Sequence, residues 1–230
     1  MESRLSNLYV SQTARAIDYT PASGMGGKSN YPPRSSRRSH AERLETDLRR
    51  AWELAEENQE EIGTVSVPSR YGVYLEIKGQ AGYDLITKSL ENITQHVRLC
   101  NVKTEDIGED QKITSSTVFV PENKRDFFVK KLNKYKETES GEKVIGTIES
   151  INLALVEALW MSERSEMPTT IPKWCEVWLM YDSNEEIEKV INEFYALCNE
   201  KNIQYKDQRI IFPERLVLGV RANKRQLSEL

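Results

Sequence analysis

The sequence predicts an α+β protein made of two tandem ferredoxin-like (βαββα) units with extra helices and an extended N-terminal arm. Three observations predict it. Segments of period two alternate with segments of period 3.6 in the order strand, helix, strand, strand, helix, and that order recurs. The first forty residues lack hydrophobic periodicity and are rich in Gly, Pro and Ser. The remaining length suffices for a buried core in one large domain or two small ones.

Taken in order, residues 1–38 form the arm. It holds Pro21, Pro32 and Pro33, and six basic residues (Arg4, Arg15, Lys28, Arg34, Arg37, Arg38) against Glu2 and Asp18, so it is net +4 in a chain of net −4. Such a segment becomes ordered only against something else. Residues 39–63 predict an amphipathic helix, with Ser39 and Glu42 as a capping box and His40, Leu44, Leu48, Trp52 and Ala55 as one stripe. That stripe packs on its own domain or docks a partner, and the former is the commoner use.

The first unit spans residues 68–138. Tyr71 to Lys78 predicts a strand with Val73, Leu75 and Ile77 on one face. Tyr83, Ile86, Leu90 and Ile93 predict a helix over 82–92. His96 to Lys103 and Ser115 to Val120 predict two further strands, and Glu122 to Tyr135 a helix. Over residues 143–163, Ile148, Ile151, Leu155, Val156 and Leu159 form a broad apolar face and predict one connecting helix. The second unit, 172–230, has a strand from Trp174 to Tyr181 and a helix over 185–199 with Ile187, Val190, Ile191, Phe194, Leu197 and Cys198 in line. Strands near 203–211 and 216–220 and a helix capped by Asn223 complete it.

Composition excludes several classes. A net charge of −4 disfavours a general affinity for nucleic acid or anionic lipid. No apolar run approaches the roughly 20 residues that span a bilayer. The N-terminus has no apolar signal core, and Cys100, Cys175 and Cys198 are too few and scattered for a disulfide framework or a zinc site. The expectation is a reduced, cytoplasmic chain.

Catalytic motifs are missing as well. Gly27-Lys28-Ser29 imitates the end of a phosphate-binding loop, but the glycine required five residues before Gly27 is Ala22, and Pro32-Pro33 blocks the helix that should follow. Nucleophilic catalysis needs a base beside its nucleophile. The two histidines, His40 and His96, have no such neighbour in any motif. No cofactor, metal or catalytic residue is expected. The candidate partner-binding residues are instead those of the arm and the helix start: Gly24, Gly26, Gly27, Lys28, Pro32, Pro33, Arg34, Arg37, Arg38 and His40. Strand alternation also turns Tyr74, Trp174 and Trp178 away from the core. They either lie under the connecting helix or form an open stacking platform for single-stranded nucleic acid. The acidic folded part, about −8, favours the covered layer.

Several blocks carry a family resemblance across nearly the whole chain. YTPASGMGGKSNYPPRSSRRSHAERLETDL, GVYLEIKGQAGYDLITKSLE, STVFVPENKRDFFVKKLNKY, ALWMSERSEMPTTIPKWCEVWL and RLVLGVRANKRQLSEL are similar to successive stretches of the N-terminal region of large bacterial subtilisin-like serine peptidases. In that group the catalytic Asp, His and Ser lie downstream in DTG, HGT and GTSMA-type motifs, none of which occurs in this sequence. The resemblance therefore implies a non-catalytic regulatory or interaction module that packs on a subtilisin-like catalytic domain, in cis or in trans. It further implies a AAA-type ATPase as partner, in two-gene systems acting in phage defence. Subtilisin-like enzymes also often carry βαββα-type propeptides, so the resemblance implies propeptide-like units; those propeptides end in an extended, substrate-like tail, whereas the residues after Arg221 read as helical.

Overall fold

The computed structural model describes residues 31–62, 72–108, 111–137, 143–181 and 185–230. Among them the architecture is α+β, with two antiparallel sheets and six α-helices. The helices are α1 (Arg37–Ile62), α2 (Asp126–Glu137), α3 (Lys143–Thr147), α4 (Val156–Leu159), α5 (Ile187–Glu200) and α6 (Lys224–Ser228). The strands are β1 (Gly72–Gly79), β2 (Arg98–Asp106), β3 (Lys112–Pro121), β4 (Ile148–Leu153), β5 (Lys173–Met180), β6 (Gln204–Phe212) and β7 (Arg215–Ala222).

The first sheet has the order β2-β3-β1-β4. Its inner face presents Val73, Leu75, Ile77, Val118, Val120 and Ile151, all buried. Against it lie α1 and α2, through Leu44, Leu48, Trp52, Phe128 and Leu132. The α1 stripe thus closes the core of its own unit, and His40 is buried with it. Burying such a stripe removes each aliphatic side chain from water for roughly 1.5–3 kcal/mol. That is why a helix with so polar an outer face holds its place. Its cap lies three residues earlier than the sequence predicts. The Ser36 hydroxyl accepts from the Ser39 amide at 3.2 Å, and the Ser36 carbonyl accepts from the His40 amide at 3.1 Å.

Two predicted helices are corrected. Residues 82–92 form no α-helix; they run as a loop with one 3-10 turn at Lys88–Leu90, and a second turn follows at Ile93–Gln95. Gly82 adopts φ 76°, and Thr87, Ser89 and Asn92 are residues whose side chains compete for local backbone groups. The Asn92 side chain accepts the Gln95 amide, closing the second turn. Leu85 and Leu90 still reach the core while Ile93 is 55% exposed. The first unit therefore lacks the helix of a βαββα order, and α1, from upstream, covers its sheet instead.

The connecting helix over 143–163 is likewise absent. In its place stand α3, strand β4 and α4. β4 pairs antiparallel with β1, and the register jumps: Lys78 faces Ser150 and Gly79 faces Ile148. Glu149 is the extra residue of this bulge. A bulge puts Ile148 and Ile151 on the buried side three positions apart, which imitates a helical repeat. The rest of the supposed face does not hold together, since Leu155 is 61% exposed and Leu159 40%.

The second unit keeps the expected element order β5-α5-β6-β7-α6, with sheet order β5-β7-β6. Val190, Ile191, Phe194 and Cys198 of α5 pack on Cys175, Leu216, Leu218 and Val220. Asn223 caps α6 in a reciprocal arrangement with Gln226. The second unit touches the segment that precedes it through an ion pair between Lys224 and Glu157 and a bond from the Lys224 amide to the Thr169 carbonyl at 3.0 Å, and it touches the first unit through Arg98 against Glu214 at 3.4 Å.

Candidate functional site

One face of the second sheet is covered by α5, and the other carries exposed large side chains. Alternation along β5 sends Cys175, Val177 and Leu179 toward α5 and Trp174, Glu176, Trp178 and Met180 the opposite way. Register then decides the neighbours. Trp174 stands opposite Arg221, Glu176 opposite Gly219, Trp178 opposite Val217 and Met180 opposite Arg215. On the far side of β7, Gln204 faces Arg221, Ile210 faces Val217 and Phe212 faces Arg215.

The result is an apolar ridge flanked by cations. Trp178 and Phe212 are stacked, with centroids 5.8 Å apart and planes within 7°, over a buried Val217. Trp178 is 56% exposed, Ile210 57% and Trp174 50%. Lys206 holds its ammonium 4.7 Å from the Trp174 ring centroid. To do so it crosses the middle strand at Gly219, where an added Cβ would lie 3.5 Å from the Lys206 side chain. Such a stacked pair contributes about 0.5–1.5 kcal/mol, and an exposed cation–ring contact about 0.5–1 kcal/mol. Those energies hold the ridge in shape. They do not offset leaving it in water, so the face is better suited to a partner than to solvent.

Of the aromatics read from sequence, Trp174 and Trp178 share this face. Tyr74 belongs to the first sheet, 44% exposed and tilted against Phe119 at 5.1 Å. The connecting helix expected to cover them does not form. Phe212, Ile210 and Lys206 were not singled out by the sequence, because only the β5-β7-β6 register reveals that they lie beside the two tryptophans.

The arm residues divide differently. Gly24, Gly26, Gly27 and Lys28 lie outside the described residues. At the end of the arm, α1 begins at Arg37 and Pro32 is buried. Arg34 is bound within the fold: Nε donates to the Gly146 carbonyl at 3.1 Å, Nη2 to the Ile148 carbonyl at 2.9 Å and Nη1 to Glu149 Oε2 at 2.6 Å. Arg43 reaches the same carboxylate at 3.1 Å. Burial opposes ionisation of Glu149, but the two guanidiniums outweigh it and hold its carboxyl below the ordinary range. His40 Nε2 lies 2.9 Å from the Ile148 carbonyl and Nδ1 3.3 Å from the Tyr135 hydroxyl. Burial, then Arg34, depresses its pKa below 6.5. Among the set proposed for partners, Pro33 and Arg38 stay exposed, Arg38 beside Glu42 at 3.6 Å, and Arg37 lies over the Tyr135 ring.

Chemically reactive groups are kept apart. Burial pushes the Cys100 and Cys198 thiols up to about 11, and raises that of Cys175. Such thiols hold little thiolate at neutral pH. Among the described residues no three His, Cys, Asp or Glu side chains come together as a metal site, and no helix is long and apolar enough to cross a membrane. No protein-family model matches this chain, and no curated protein matches it.

Proposed function

We propose that this chain is a non-catalytic docking module of a subtilisin-like serine peptidase, packing on the catalytic domain through the open face of its second sheet. The observation that carries the reading is the ridge of Trp174, Trp178, Ile210 and Phe212, an apolar surface over which no helix lies among the described residues. The sequence blocks resembling the N-terminal region of such peptidases supply the partner, and the β5-α5-β6-β7-α6 order supports a ferredoxin-like, propeptide-like second unit. The AAA-type ATPase and the setting in cytoplasmic phage defence come from the same resemblance.

The test is to titrate the purified chain into the catalytic domain of a bacterial peptidase of that group, followed by calorimetry and peptide hydrolysis. Binding that weakens about ten-fold on Phe212→Ser is expected, because a stacked anchor at the centre of a patch is where truncation costs most. No heat and no change in hydrolysis with the unmodified chain would remove the proposal.

A second reading is favoured by one observation: Lys206 over Trp174, with Arg215 and Arg221 on the same face. Stacking rings beside cations are what single-stranded nucleic acid binds. That reading requires affinity that falls steeply with salt. A filter-binding assay with an oligonucleotide at low and moderate salt decides it.

A further inference from the structure

The turn between β6 and β7 carries a residue ill suited to its backbone. Phe212 pairs directly with Arg215, so Pro213 and Glu214 alone form the loop. Two-residue hairpin loops favour turns whose first central residue has positive φ, which the proline ring forbids. The arrangement left puts positive φ on the second central residue, where glycine or asparagine is the usual occupant. In this chain it is Glu214, at φ 59°. Among the described residues two other non-glycine residues share that region, His96 and Asn202, and both are of types that enter it readily. Glutamate is not, so neighbouring structure must hold it there.

Two residues do so, one from each unit. From the second unit, the Tyr181 amide donates to the Glu214 carbonyl at 3.4 Å, and the Tyr181 hydroxyl donates to the Phe212 carbonyl at 2.7 Å. From the first, Arg98 Nη2 donates to Glu214 Oε2 at 3.4 Å. The Arg98 side chain is 7% exposed and that of Glu214 51%, so the guanidinium is fixed by its surroundings and the carboxylate comes to it. Beside this pair, Arg215 Nη2 reaches the Leu99 carbonyl at 3.5 Å, tying the far end of the turn to the same stretch of β2. Glycine at the turn would fit the backbone better, but it would give Arg98 nothing to hold.

The turn sets the place of Phe212, which immediately precedes it and stacks on Trp178 in the open face. We infer that Arg98 is a positioning residue for docking by that face. By holding Glu214 in the left-handed region, it fixes the turn that presents Phe212 to Trp178. The ridge of the second unit is thus kept in shape by the first. The inference rests on the docking reading of the ridge, and adds to it a nearly buried residue of the other unit.

The full chain tests it with two readings, one of which needs no partner. The stacked indole displaces the Phe212 ring signals upfield in the nuclear magnetic resonance spectrum of the Phe-labelled protein, and their loss in Phe212→Ser identifies them. Glu214→Ala removes the carboxylate and keeps the backbone penalty, whereas Glu214→Gly removes both. Glu214→Ala and Arg98→Met should each lose most of the displacement and bind the peptidase domain about five-fold more weakly, as the competent fraction falls. Glu214→Gly should lose neither, and adding it to Arg98→Met should restore both. A contact that acts only as an ion pair makes Glu214→Ala and Glu214→Gly equal, and that result overturns the inference. So does a displacement unmoved by Glu214→Ala, or an Arg98→Met defect that Glu214→Gly does not relieve. Should circular dichroism show Arg98→Met unfolded, the comparison of Glu214→Ala with Glu214→Gly, at a half-exposed position, decides alone. If the unmodified chain gives no heat with the peptidase domain, the docking reading fails, while the ring displacement still decides what Arg98 holds in place.

Discussion

Arg34 and Glu149, 115 positions apart, form a 2.6 Å ion pair that fixes the entry to α1 onto the bulge of β4. The bulge leaves Glu149 as the extra residue, and Arg34 also takes up the carbonyls of Gly146 and Ile148. One side chain thus satisfies three acceptors around an irregular strand. Unmet, those groups would carry the cost of buried polar atoms without partners.

Arg34→Ala should therefore destabilise the fold by about 2 kcal/mol, the scale of lost charge-assisted hydrogen bonds. Urea unfolding checks it. Combined with Glu149→Gln, the double variant should lose less than the sum of the two single losses, because the pair couples directly.

Acid should lower the stability of the protein over two pH windows of known sign. His40 has a folded pKa below 6.5, so its contribution is complete above that value and declines as pH falls through and below it. Glu149 has a folded pKa below 4.5, so its contribution is present above 4.5 and is lost as pH falls toward the folded value. Stability measured against pH should be flatter below 6.5 in His40→Gln and flatter below 4.5 in Glu149→Gln.

Gly72→Ala should cost about 1–3 kcal/mol through overpacking. A Cβ there would stand 2.5 Å from the Val120 carbonyl oxygen and 2.6 Å from the Phe119 ring, so β1 and β3 must separate. The thermal midpoint reads this directly. Ile151→Ala, in the same core, should cost about 2–5 kcal/mol by leaving a cavity.

Phe212→Ser should cost about 0.5–1.5 kcal/mol of stability, the worth of the stacked pair with Trp178 that it removes. Its effect should appear in binding to the peptidase domain. A stability loss equal to that of Ile151→Ala would place Phe212 in the core instead.

Native Cys198 should resist a disulfide-exchange reagent at pH 8, because the thiol is buried and raised to about 11. Labelling in urea should be complete, and the ratio of the two rates measures the protection.

Where side-chain spacing reflected one regular element, it could be read directly. The α1 stripe from Leu44 to Ala55, the α5 stripe from Val190 to Cys198, the β1 alternation and the Asn223 cap all stand as the chain spells them. Each is a local pattern, and burial of one face enforces it. The failures have the same root. Ile148 and Ile151 sit three apart because of a bulge, and that spacing is also a helix's. Tyr83, Ile86 and Leu90 keep a helical interval in a loop, since α1 already occupies the sheet face they would have covered. Arg34 and His40, in a polar stretch, gave no sign that carbonyls more than 100 positions away would hold them.

By itself the sequence determined which faces are apolar, because transfer from water depends on side-chain chemistry and period alone. Tertiary structure decided which strands are neighbours. Pairing is a choice among distant segments, and β7 became the centre of the second sheet only by lying between β5 and β6. That choice set Phe212 on Trp178 and Lys206 over Trp174, and left β5 at the edge.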